Sequence, residues 1–124
     1  MHKEGRRGVM HAVDAFVFSM KGLRTAWADE TAFRLQCALL VPLVPLAFLI
    51  ARSAVELSLL LGACGLVLMA EMFNSAIERL VDRVSTDIHP LSGQAKDLGS
   101  AGVFIAMMLF LVVWLPIGWA NLAG

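Results

Sequence analysis

The stretch LSLLLGACGLVLMAEMFNSAIERLVDR, Leu57 to Arg83, decides the fold. Through Ala70 its residues are apolar or small, and the run extends past Glu71 into Met72 and Phe73. A membrane span needs about 20 residues at 1.5 Å rise each, with about 17 as the working minimum. This run is therefore long enough only if Glu71 lies at membrane depth. A carboxylate in a span costs roughly 2.5–3.5 kcal/mol on insertion scales, and such residues usually face a bundle interior and do something there.

Two further runs share this character. Leu35 to Ala51 is apolar apart from Gln36, and Ala101 to Ala120 carries no charge. Pro42 and Pro45 in the first would bend a soluble helix, but membrane helices tolerate proline where neighbours re-satisfy the backbone. Composition agrees: 59% of the 124 residues are hydrophobic, 16% are charged and the mean hydropathy is +0.76. So few charges could not cover that much apolar surface in a soluble domain. A formal net charge of zero gives no support for nucleic-acid binding. Cys37 and Cys64 both fall inside apolar runs without metal spacing and read as small hydrophobes.

Ahead of the first span, Val9, Met10, Val13, Phe16, Val17, Met20, Leu23 and Trp27 recur every three or four residues, with His11, Asp14, Lys21 and Arg24 mostly between them. That pattern predicts an amphipathic helix along a membrane interface. The opening MHKEGRRGVMHAVDAF has charges but no apolar segment before a cleavage site, so no signal peptide is expected. The fold expected is an all-α membrane protein, a single integral-membrane domain over 1–124. It comprises an amphipathic surface helix at about 9–31 and membrane helices at about 33–51, 56–80 and 98–120. Arg6, Arg7, Lys21, Arg24 and Arg34 precede the first span, and Arg79, Arg83 and Lys96 lie between the second and third. Only Arg52 falls on the other side, so the positive-inside rule places the N-terminus and a 79–97 loop in the cytoplasm. Trp114 and Trp119 suit the far interface.

On a helix, Glu71, Asn74 and Glu78 stand at i, i+3 and i+7 and share a face over about 10 Å of rise. Glu71, deepest of the three, is a candidate general base, or else a helix-end carboxylate bonded to a neighbour. Glu78, further out, suits a hard cation such as Mg²⁺, which takes oxygen from one or two carboxylates plus phosphate. Asp29 and Glu30 fall at the same depth before the first span, so Glu30 could reach the same ion. Lys96 and Asp97, just before the third span, would meet phosphate beside helix N-terminal amides, or lie in a plain loop. No P-loop, GxGxxG or protein-kinase signature is present.

EMFNSAIERLVDR, HPLSGQAKDLGSA and KGLRTAWADETAFR resemble the three motif blocks of the prokaryotic diacylglycerol kinase family, and the resemblance runs from about Ser19 to the C-terminus. It implies a homotrimer of three-span subunits in the bacterial inner membrane that transfers the γ-phosphoryl group of Mg-ATP to diacylglycerol, giving phosphatidic acid. By that resemblance Glu71 is the base, and Glu30 and Glu78 hold metal and nucleotide. Asn74, Asp87, His89, Lys96 and Asp97 also meet nucleotide. Arg24, Trp27, Arg34, Glu71, Ser100 and Trp114 hold the lipid. His11 stands where the family has a basic residue, and the chain has no Tyr to supply the aromatic hydroxyl expected near Phe18. Leu35 occupies a position that is often polar. Rival readings are a polyprenol kinase of the same family, an oligomeric ion or proton pathway titrating at Glu71, and a structural membrane subunit.

Overall fold

The computed structural model describes residues 2–124, with side chains from Arg7 onward. Four helices follow in order: α1 (His2–Asp29), α2 (Thr31–Ile50), α3 (Ala54–Val84) and α4 (Pro90–Ala123). No strand occurs among the described residues.

Short joints set the architecture. Glu30 alone separates α1 from α2, and its extended backbone (φ −107°, ψ 106°) turns the chain there. The Arg34 guanidinium closes this corner by donating to the carbonyls of Trp27 and Ala28, each at 3.2 Å. A cation is favoured at that point, because the last carbonyls of a helix are unpaired and carry its negative dipole end. At the second joint Ser53 caps α3, its Oγ accepting from the Glu56 amide at 3.1 Å. Glu56 reaches back to accept from the Arg52 amide at 3.1 Å, the reciprocal pattern of a capping box displaced by one residue.

The third joint corrects the expectation of a long loop before residue 98. α3 runs on to Val84, and α4 already starts at Pro90. His89 is the N-cap, its Nδ1 accepting from the Leu91 amide at 3.1 Å, and Pro90 follows in the first turn. Proline is favoured there because its missing N–H would lack a helical partner anyway. Lys96 and Asp97 consequently lie inside α4, not at its free N-terminal amides.

α2 has 20 residues, about 30 Å of rise, and matches the hydrocarbon thickness; α3 and α4 have 31 and 34 and exceed it. Asn121 fixes where the surplus goes. Its amide donates to the Ile50 carbonyl at 2.7 Å and to the Glu56 carboxylate at 3.0 and 3.3 Å. Arg52 donates to the Asn121 carbonyl at 2.8 Å. The end of α2, the start of α3 and the end of α4 are thus level, so α3 and α4 project together beyond the opposite face by roughly 15 Å.

Ala47, Ile50, Leu60, Ala63, Cys64 and Trp114 form the core, in the half nearer that pinned end. Ala47, Ala63 and Cys64 are small and let helices approach where lipid provides no hydrophobic drive. α3 and α4 share the most extensive interface. Trp114 departs from the interfacial position expected of it. It is buried, stacked on Phe110 at 5.3 Å, and its indole donates to the Leu60 carbonyl at 3.1 Å. Trp119 is exposed. Cys64 is buried, Cys37 half-buried, and both are free. Pro42 and Pro45 leave α2 unbroken. Apolar side chains such as Val41, Leu49, Phe104 and Val112 point outward, as they must where the solvent is lipid. From Arg7 onward α1 is exposed everywhere except at Ala26, leaving its apolar stripe free for an interface.

Candidate active site

Counting from Ala54 at the pinned end, Glu71 lies about 26 Å along α3, just inside a hydrocarbon layer of about 30 Å. Asn74 falls at about 30 Å and Glu78 at about 36 Å, in the projecting part. Set against that thickness, Glu71 falls at the last turn before the part of α3 that exceeds it.

Glu71 lines a cleft of about 270 Å³ with Glu30, Arg79, Ser75, Phe33 and Thr25, so α1, α2 and α3 all contribute walls. The joint that turns the chain at Glu30 also keeps that carboxylate from capping α2. It receives Arg79 instead, with Nη2 at 3.2 Å and Nε at 3.4 Å from Oε1. Arg79 Nη2 also reaches Asp29 Oδ2 at 3.3 Å. Glu71 shares the cleft with Glu30 and stands two turns before Glu78 along α3.

The other edge of the polar face of α3 meets α4. Asn74 Nδ2 donates to Glu78 Oε1 at 3.4 Å. Its Oδ1 is buried without a partner and rests against Gly99, where any Cβ would collide with it. One turn beyond Glu78, Asp82 accepts from Lys96 Nζ at 2.7 Å. That hydrogen bond and the attraction of the carboxylate raise the Lys96 ammonium above its ordinary pKa.

The structure therefore brings Glu30 to Glu71, and Asn74 to Glu78 with Lys96 nearby, while Glu78 is not among the residues lining the cleft that holds Glu30. Asp87 and His89 lie in the five-residue joint beside these helix ends. There the Asp87 amide donates to Ser85 Oγ at 3.0 Å, and the His89 ring is committed to its cap. Asp97 and Ser100 are exposed on α4. Arg24 and Trp27 are exposed near the end of α1, and Arg34 is committed to the α1 carbonyls. Trp114 is not brought to the cleft. His11 is exposed, and the exposed Phe18 ring carries Lys21 Nζ at 5.5 Å from its centroid.

Three residues escaped the sequence reading as parts of the site: Arg79, Asp82 and Gly99. Arg79 stands eight residues from Glu71, about 80° round α3, at the edge of its polar side, which a helical projection would have shown. Gly99 had a signal too, since glycine inside a helix is unfavourable by about 1 kcal/mol and implies a packing reason.

A second, apolar groove of about 340 Å³ runs between α2, α3 and α4, lined by Gln36, Leu40, Leu43, Leu68, Met107 and Phe110 among others. It begins one helical turn deeper than Glu71, and the Gln36 Oε1 in its wall is buried without a partner. Among the described residues no three His, Cys, Asp or Glu side chains converge into a cage for a metal ion. Carboxylate oxygens at a wet rim suit Mg²⁺ nonetheless, because it usually takes one or two carboxylates and completes its shell with water and phosphate.

Residues 17–117 match the family model described as prokaryotic diacylglycerol kinase. Proteins named diacylglycerol kinase are similar over most of the chain. The one from Haemophilus influenzae is 43% identical over 107 residues, covering 86% of this chain and 91% of its own. That from Pseudomonas aeruginosa is 43% identical over 114 residues, covering 92% and 93%. The Escherichia coli protein is 39% identical over 114 residues with the same coverage.

Proposed function

The chain belongs to the prokaryotic diacylglycerol kinase family and is a lipid kinase, and on that premise we propose that it phosphorylates diacylglycerol to phosphatidic acid with Mg-ATP at the cytoplasmic face of the bacterial inner membrane. The observation that carries this reading is the position of Glu71. It lines a cleft open to the polar rim, one turn from the mouth of an apolar groove. A lipid hydroxyl held at headgroup level would meet the carboxylate there, with the acyl chains below it and the nucleotide above.

In the step proposed, Glu71 takes the hydroxyl proton as the lipid oxygen forms its bond to the γ-phosphorus. The bond from that phosphorus to the bridging oxygen breaks, and its electron pair leaves with ADP. Glu30 and Glu78 would hold Mg²⁺, which when bound supplies charge neutralisation for the phosphate oxygens. Asn74, Glu78, Lys96 and Asp97, with Asp87 and His89 in the adjoining joint, would hold the nucleotide. Arg24, Trp27, Arg34 and Ser100 would frame the lipid headgroup. Trp114 would back the far wall of the acyl groove through its stack on Phe110. Most of the rate gain would come from positioning, which a small bundle can provide because phosphoryl transfer asks for little covalent chemistry from the protein.

Homotrimerisation belongs to the same reading, supported by the unpartnered buried oxygens of Gln36 and Asn74, which donors of a neighbouring subunit would satisfy. A neighbouring subunit would then bring the Glu30 and Glu78 halves together. The basic residues before α2 and between the cores of α3 and α4 support a cytoplasmic N-terminus.

The test is phosphoryl transfer from labelled ATP in mixed micelles offering diacylglycerol and a polyprenol side by side. Label is expected in phosphatidic acid and should fall by orders of magnitude in Glu71→Gln, with nucleotide binding kept. Label mainly in the polyprenol would change the substrate, and a near-wild-type Glu71→Gln would remove the base.

A further inference from the structure

Glu30 is the carboxylate of the cleft that the fold takes out of every helix, yet it does not stand free. Its hydrogen-bond partner is Arg79, 49 positions away on α3, which approaches the same oxygen with both Nη2 and Nε. The Glu30 side chain is 28% exposed against 50% for Arg79, so the guanidinium covers it from the solvent side. Among the described residues Arg79 is also the only cation lining this cleft. A divalent ion approaching Glu30 finds Oε1 already held by a positive charge, and binding at the other oxygen still sets a dication beside the guanidinium on one carboxylate. Two cations that close repel.

Resting on the reading of Glu30 as a metal ligand, we propose that Arg79 is a built-in competitor for the metal, occupying Glu30 in the free protein and yielding it only when phosphate arrives to take the guanidinium. Bare metal displaces Arg79 into water beside a dication. Metal arriving with a nucleotide brings phosphate oxygens, and the planar fork of arginine bonds those in pairs. The exchange makes metal and nucleotide bind as a unit and keeps the site from filling with metal alone. Arg79 is a positioning residue in this scheme, and its effect is a coupling between two ligands, reciprocal by thermodynamic necessity.

The experiment is a Mn²⁺ titration of the detergent-solubilised full chain, followed by electron paramagnetic resonance, with and without a non-hydrolysable ATP analogue. Arg79→Ala should bind bare Mn²⁺ about two- to five-fold more tightly, the range expected from losing an exposed ion pair. With the analogue present the gain should shrink, because wild-type Arg79 is then bonded to phosphate. Arg79→Lys, which keeps the charge without the fork, should fall between the two. Arg83→Ala removes the same charge one turn further along α3. An equal gain there would reduce the effect to general charge and overturn the proposal. Glu30→Gln should weaken Mn²⁺ binding and abolish the effect of Arg79→Ala added to it. Weakening in Glu30→Gln with no change in Arg79→Ala would sink the competition alone. Unchanged binding in Glu30→Gln would take down the metal-ligand reading and the competition with it.

Discussion

Gly99→Ala tests whether the approach of α4 to α3 positions the nucleotide side of the site. In an unhindered helix the substitution is favourable by about 1 kcal/mol, since alanine loses less backbone freedom than glycine. At Gly99 the added Cβ would fall within van der Waals contact of Asn74 Oδ1 and 3.5 Å from Ile77 Cδ1. Overpacking of that kind costs about 1–3 kcal/mol, so the net change is a loss of up to about 2 kcal/mol. The carboxamide is the softest neighbour and should swing away. Its bond to Glu78 is already 3.4 Å long, near the limit for a hydrogen bond, so a shift of roughly 1 Å breaks it. Losing one hydrogen bond to a charged partner is worth about 1.5 kcal/mol at its lower end, about a tenfold fall in kcat/KM for Mg-ATP. The control is Gly102→Ala, one turn along α4, where a Cβ meets nothing within 4 Å. Unfolding by SDS titration in mixed micelles gives the stability change, and a coupled assay over Mg-ATP concentration gives the kinetics. Adding Asn74→Ala to Gly99→Ala should restore stability without restoring activity. If Gly99→Ala matched Gly102→Ala in both measurements, the contact would have no positioning role.

At the opposite end, Asn121→Ala should cost about 1.5–3 kcal/mol, because its amide bonds a carboxylate and a carbonyl at once, while KM for Mg-ATP stays unchanged. A shift in KM with stability intact would show that the pinned end communicates with the site. Glu78→Leu should raise the Mg²⁺ concentration needed for half-maximal turnover, and an unaltered metal dependence would remove Glu78 from the ligand set. Single cysteines placed at Asp87 and Ala54, in a background lacking Cys37 and Cys64, should be labelled from the cytoplasm and from outside respectively; the reverse pattern would invert the topology.

The sequence carried the helical spans and the surface helix because both are statements about local composition. An uncharged run of 20 residues has few options in water, and apolar residues at helical spacing define a face whatever lies against it. The place of Glu71 along its helix was equally legible, since it follows from counting rise along α3. Capping is only partly legible. HPLSG reads as loop by composition, although proline after a residue able to accept a hydrogen bond is a helix start, and the histidine ring there is an acceptor less familiar than serine or aspartate.

Partners on different helices were another matter. That Arg79 meets Glu30 across 49 positions depends on how far the Glu30 joint turns the chain, which no periodicity encodes. Gly99 against Asn74 depends on the register of α3 with α4, fixed far away by Asn121 at the pinned end. Trp114 looked interfacial from its position and is buried by the rotation of α4 about its own axis. Local sequence determined which segments are helical, which are long and apolar enough to cross a membrane, and which side chains are chemically able. Tertiary structure alone decided their pairing, because a contact between helices is set by rotation and register, and these depend on the packing of the whole bundle.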